Sequence, residues 1–238
     1  MEDTYIYGVR VLVKDPKKAA SWLCEALFFS MEKDGEEPVV RSGDFRIVLT
    51  SKGESGNKEA AFGFTHIALE TENMEAAIAY AKELGFVLEL AENGGAKHSG
   101  KVYGTGMDYF NIRTDFGLTV EVSRKLHVKC AGKGKLIEGL DHIGLQTADL
   151  EESLRFYEKL GFEREFAPVV NHADGREIRC CMVSSGGTVV EIYEICGEKR
   201  EKSGASIDAV LLCKYDAECP SCYISGPDGE NVEFLLAE

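Results

Sequence analysis

The chain has 238 residues, 44 % of them apolar, and a net charge of −14 at pH 7. That length can bury a sizeable core as one large or two small domains. The acidic balance argues against a nucleic-acid backbone or an anionic membrane surface as partner. No apolar run approaches the length needed to span a bilayer. The opening residues, MEDTYIYGV, show neither the basic nor the apolar region of a secretory signal. The expected location is therefore the cytoplasm, with the eight cysteines as reduced thiols rather than a disulfide framework.

In chain order, residues 5–13 read as a strand, and Asp15-Pro16 opens a helix running to about Phe28. Two short strands, 38–41 and 45–50, meet at the turn Ser42-Gly43-Asp44, and 51–60 is a polar loop. A strand carrying His66 leads into a helix that ends at Gly85; residues 92–101, ENGGAKHSGK, read as a mobile loop. A hairpin, 109–113 with 118–122, closes that unit, and the basic, glycine-containing stretch 125–137 reads as a linker. Its GKGK lacks the spacing and context of a phosphate loop. The next unit opens on GLDHIGLQT, with Leu150, Leu154, Phe156, Tyr157 and Leu160 at helical spacing and Gly161 as the stop. It ends in a hairpin, 178–184 with 188–195. A last, shortened unit has strands at 207–213, 222–225 and 232–236, with its helix reduced to a turn near 216–219. Cys219 and Cys222 form a lone CxxC, read as structural because no second pair stands at zinc-site spacing.

The chain repeats itself. His66 matches His142 and Gly85 matches Gly161, 76 positions apart in both cases (66 to 142, 85 to 161). A fainter copy begins the chain, with Asp15 at the helix cap and Gly8 where the histidine would stand. A repeat on this scale implies an α+β fold of paired βαβββ units in two domains, residues 1–124 and 138–238. Consecutive units are expected to pair, each pair curling its sheet around a shared cleft.

Three hairpin strands carry a glycine followed four residues later by a glutamate: GLTVE ending at Glu121, GTVVE at Glu191 and GENVE at Glu233. A carboxylate inside an apolar strand is costly to bury unless it is paired or holds a metal. A lone strand histidine is more often a hydrogen-bonded core residue, but His142 beside repeat-matched glutamates reads as a ligand. His98, His127 and His172 fall in loops or the linker, with His172 near a cleft rim where it could touch substrate.

LDHIGL at 140–145, FYEKLGF at 156–162 and GPDGENVEF at 226–234 resemble the vicinal oxygen chelate superfamily, which includes glyoxalase, methylmalonyl-CoA epimerase, extradiol dioxygenases and fosfomycin and bleomycin resistance proteins. The resemblance covers nearly the whole chain and implies ligands from the first and last strands of paired units converging on one divalent cation. Carried over to the C-terminal half, it implies His142, Glu191 and Glu233, with the fourth corner at Asp208, or at Ala209 if the register slips by one. His66 and Glu121 are then a secondary or degenerate site, because Gly8 and an apolar residue near Ile47 fill its other corners. One imidazole with carboxylates suits Mn, Fe, Co, Ni, Mg or Zn. The implied activity is isomerase, epimerase or lyase chemistry on a small oxygenated substrate through a metal-stabilised enolate, with Glu191 or Glu233 as base. Two alternatives stand beside it: a metal-free protein that sequesters a small molecule, and an extradiol-type dioxygenase, which wants two histidines and one glutamate. A monomer and a homodimer are both compatible with the fused arrangement.

Overall fold

A computed structural model describes residues 5–52, 63–126, 135–137, 139–173, 175–197, 207–214 and 222–236. The first repeat unit comprises β1 (Tyr5–Leu12), α1 (Pro16–Leu27), β2 (Ser30–Lys33), β3 (Val39–Ser42) and β4 (Phe45–Thr50). The second has β5 (Gly63–Glu70), α2 (Met74–Glu83), β6 (Val87–Glu89), β7 (Lys97–Ser99), a 3-10 turn (Val102–Gly104), β8 (Met107–Arg113) and β9 (Thr119–Lys125). The third has β10 (Leu140–Gln146), α3 (Leu150–Lys159), β11 (Glu163–Arg164), β12 (Val169–Ala173), β13 (Arg176–Ser185) and β14 (Thr188–Ile195). The fourth has β15 (Ile207–Lys214), β16 (Cys222–Ser225) and β17 (Asn231–Leu236).

Each helix starts where a side-chain oxygen satisfies a free backbone N–H. Asp15, Asn73 and Asp149 are the caps, accepting from the N–H of Lys18, Ala76 and Glu152. After α2 and α3 the chain turns through Gly85 and Gly161, both at positive φ (72° and 96°), as the repeat pattern predicts. α1 has no such glycine, and Phe28 takes the left-handed conformation instead.

Two sheets result, and their composition corrects the expected pairing. One has seven strands in the order β16-β17-β15-β1-β4-β3-β2; the other has ten, ordered β11-β13-β14-β10-β5-β9-β8-β6, with β12 on β13 and β7 on β8. The first unit therefore pairs with the fourth, and the second with the third. Residues 1–124 and 138–238 each contribute one unit to each sheet. The cause lies in how the chain enters β10: Glu70 N–H donates to the Gly139 carbonyl and Thr71 Oγ1 to that of Leu136. These bonds seat β10 against the free edge of β5, antiparallel to it.

Other expectations shift less. Residues 92–101, expected as a mobile loop, contain β7, paired with β8. Of the expected linker, Lys125 belongs to β9 and Ile137 is buried. His127, Cys219 and the turn near 216–219 lie outside the described residues. One apolar core runs through both sheets and all three helices, joined by Trp22 against Phe86 and Phe116 and by Phe28 stacked on Tyr80. Burying each large apolar side chain here contributes about 1.5–3 kcal/mol. Among the described residues no helix is long and apolar enough to cross a membrane.

Candidate metal centre

The ten-stranded sheet concentrates its titratable side chains at its middle. β5 runs parallel to β9, which puts Ala68 beside Glu121; β10 runs parallel to β14, which puts Gly144 beside Glu191. The antiparallel β5–β10 pair then sets Ala68 opposite His142 and Gly144 opposite His66. His66 and Glu121 from one unit thus face His142 and Glu191 from the next across a pseudo-twofold. The glycine at 144 is required: a Cβ there would overlap the His66 ring.

The donor atoms converge tightly. His66 Nε2 lies 3.2 Å from His142 Nε2. Glu191 Oε2 is 3.6 Å from His66 Nε2 and 3.7 Å from His142 Nε2. Glu121 reaches within 3.5 Å of His142 Nε2 and 4.0 Å of His66 Nε2. Ligands about 2.1 Å from one cation stand roughly 3–4 Å from one another, so these separations suit a shared ion. His66, Glu121 and His142 can hold a metal ion, and all three are buried. Glu121 Oε1 is buried with no hydrogen-bond donor, a cost that a bound cation would relieve.

The group behind His66 fixes its tautomer. Thr65 Oγ1 donates to the Gly144 carbonyl (3.1 Å), so it accepts from His66 Nδ1–H at 2.9 Å. Tyr193 OH donates to the same oxygen at 3.2 Å. Behind His142, Asp141 Oδ2 lies 3.3 Å from Nδ1, an off-line charge contact. Both Nε2 atoms face the centre.

Burial, then the neighbouring charge of His142, pushes His66 down to about 3. For His142 burial acts the same way, but the Asp141 carboxylate, then Glu191 and Glu121, more than offset it and push it up to about 9. Burial pushes Glu121 up to about 8 and raises Glu191 as well. Asp141 is held well below the usual carboxylate range, because His142 and Lys125 outweigh its burial. The buried carboxylates therefore keep a proton on His142, the place a divalent cation would take. An open cavity of about 610 Å³ lies elsewhere, around the start of α1, between Lys14, Lys52 and Asp115.

The seven-stranded sheet repeats the frame with one donor in place of four. Gly8 sits opposite Leu211, and Leu211 beside Glu233, as His66, Gly144 and Glu191 do in the other sheet. Arg10 sits opposite Ala209 and beside Val48, as Ala68 does with His142 and Glu121. The four corners are thus Gly8, Val48, Ala209 and Glu233. The Arg10 guanidinium lies 2.7 Å from Glu233, an internal cation on the lone carboxylate.

The sequence pattern of the Glyoxalase/Bleomycin resistance protein/Dioxygenase superfamily matches residues 6–122 and 139–234. The chain belongs to that superfamily. Among solved structures it is similar to glyoxalase I from Zea mays, at 16 % identity and TM-score 0.69, covering 97 % of this chain and 92 % of that one. A Bacillus subtilis protein provisionally described as a dioxygenase gives 11 % identity, TM-score 0.65 and coverage of 99 % and 86 %. At these identities the likeness is one of fold. No curated protein matches the chain.

In this superfamily member, His142 and Glu191 share a centre with His66 and Glu121, which the resemblance alone places in a secondary or degenerate site. Glu233 and Asp208 stand in the other sheet. Of the two residues open for its fourth corner, the register selects Ala209. The apolar corner expected near Ile47 is Val48. Sequence reasoning missed Asp141, Thr65, Ser123 and Lys125, which support the centre from behind. Their one sequence signal is that a polar residue precedes each histidine in an apolar strand.

Proposed function

We propose that this chain is a divalent-metal enzyme acting on a small oxygenated substrate by isomerase, epimerase or lyase chemistry. The observation that carries this reading is the convergence of four donor groups, His66, Glu121, His142 and Glu191, whose carboxylate and imidazole atoms lie 3.2–4.0 Å from the two Nε2 atoms. When bound, a divalent cation would supply Lewis acidity to two adjacent substrate oxygens. The chain contributes the rest. Glu191 is the more exposed carboxylate, 16 % against 6 % for the Glu121 side chain, and so the one a substrate reaches. Cys180 Sγ–H donates to its Oε1 at 3.5 Å, leaving Oε2 towards the histidines. With its affinity for a proton raised by burial, Glu191 is suited to take a proton from a carbon next to the bound oxygens and return it. Glu233, the other candidate base, is engaged by Arg10 in the other sheet.

The test is a screen of protein loaded in turn with Mn, Fe, Co, Ni, Mg and Zn against 2-oxoaldehydes with thiols, acyl-CoA esters and catechols. Glu191→Gln should lower turnover by about 10²–10⁴-fold. Undiminished turnover in that variant would rule Glu191 out as the base. A second reading, an extradiol-type dioxygenase, is favoured by the triple His66, Glu121 and His142, since two histidines and one carboxylate suit non-haem iron. Oxygen consumption with catechols on the iron form, and none of the proton-transfer reactions, would select it. Failure to take up any of these metals would leave a metal-free binding role.

A further inference from the structure

Each histidine of the centre follows an irregularity in its strand. Along β10 the partner of Leu140 is Leu69 and that of His142 is Ala68, so Asp141 is an extra residue. Along β5 the partner of His66 is Gly144 and that of Phe64 is Leu145, so Thr65 is extra in the same way. A bulge re-aims the side chain it carries. In regular strands adjacent side chains point to opposite faces; here Thr65 and Asp141 each reach the Nδ1 side of the following imidazole.

The two supports differ in charge and in anchoring. Asp141 is 4 % exposed and is itself held: Ser123 Oγ donates to Oδ2 at 2.6 Å, Lys125 Nζ lies 2.7 Å from Oδ1, and Tyr103 OH donates to Oδ1 at 3.4 Å. The Lys125 ammonium also sits over the Tyr103 ring, 4.5 Å from its centroid. Thr65 is neutral, tied to the Gly144 carbonyl and Tyr193. A carboxylate behind an imidazole fixes the ring and makes it a stronger donor; a hydroxyl fixes it only.

We propose that Thr65 and Asp141 are positioning residues for the metal centre: each bulge turns a side chain behind the next histidine so that Nε2 faces the cation. Asp141, anchored by Ser123 and Lys125, makes His142 the tighter of the two imidazole ligands. The inference rests on the metal-enzyme reading.

The experiment is a Co²⁺ titration of the full chain, reading the dissociation constant and the visible d–d absorption. Asp141→Asn should weaken binding by about 10–100-fold and shift the d–d bands. Thr65→Val should weaken it less, and Thr65→Ser, which keeps the hydroxyl, should restore wild-type affinity. If Asp141→Asn does not fold, Ser123→Ala loosens the same carboxylate and should weaken binding by a few fold. Affinities within about twofold of wild type with unchanged bands, in folded Asp141→Asn (or Ser123→Ala) and Thr65→Val, would overturn the proposal while leaving the metal centre standing. A wild type that binds no Co²⁺ would overturn both.

Discussion

In the ten-stranded sheet the four central corners are His66, Glu121, His142 and Glu191, whereas the corresponding corners of the seven-stranded sheet are Gly8, Val48, Ala209 and Glu233. Both sheets use the same strand frame, and even the bulges recur: Tyr7 is extra before Gly8, and Asp208 before Ala209. The frame is thus not what makes a metal centre. Where four donors meet, their buried charge calls for a cation. Where one carboxylate remains, a guanidinium from the next strand position, Arg10, serves instead. A side-chain donor is also sterically excluded at Gly8, because a Cβ there would collide with the backbone of Arg46.

The largest break in this comparison should come from His66→Ala or His142→Ala. Losing a group behind a metal ligand costs about 10–100-fold in affinity, and losing the ligand itself costs more. Equilibrium dialysis with Zn²⁺ or Ni²⁺ should find no tight site in either variant. Gly144→Ala comes next: its methyl group displaces the His66 ring, and affinity should fall by at least about 10-fold with little change in fold.

Stability against pH sharpens the same contrast. His142, raised from 6.5 to about 9, binds its proton more tightly in the folded chain. Its stabilisation is fully present below pH 6.5 and is lost as pH rises through 9. Glu121, raised from 4.5 to about 8, acts in the same direction from pH 4.5 upward. His66, lowered to about 3, opposes them only below pH 6.5. Metal-stripped protein should therefore lose stability steadily between pH 6.5 and 9 in urea titrations. Saturating metal should abolish that loss, since the ion takes the place of the protons. A stripped protein that is most stable at pH 9 would contradict these assignments.

Glu233→Gln should do the opposite of the histidine variants, lowering stability by about 2 kcal/mol through the weakened contact with Arg10 while leaving metal uptake intact. Asp208→Asn should be the mildest, with metal affinity within about twofold of wild type.

Much of this was legible in the sequence. The helix caps at Asp15, Asn73 and Asp149, the hairpins and the fourfold repeat follow from local chemistry, and the histidine and glutamate corners follow from the repeat. Two things were not. Which units pair depends on contacts between distant segments, such as Glu70 and Thr71 with residues 136–139, and a repeat pattern identifies equivalent residues without identifying neighbours. The bulges were hidden too. An extra residue before Ala209 makes Asp208 the counterpart of Asp141 rather than of His142, and alternation along a strand cannot reveal it.

The most direct test is the metal content of the chain purified without chelators, measured for the wild type, His66→Ala and Glu233→Gln. The expected result is about one ion per chain in the wild type and in Glu233→Gln, and none in His66→Ala. An ion that survives His66→Ala and is lost with Glu233→Gln would place the centre in the seven-stranded sheet and contradict it.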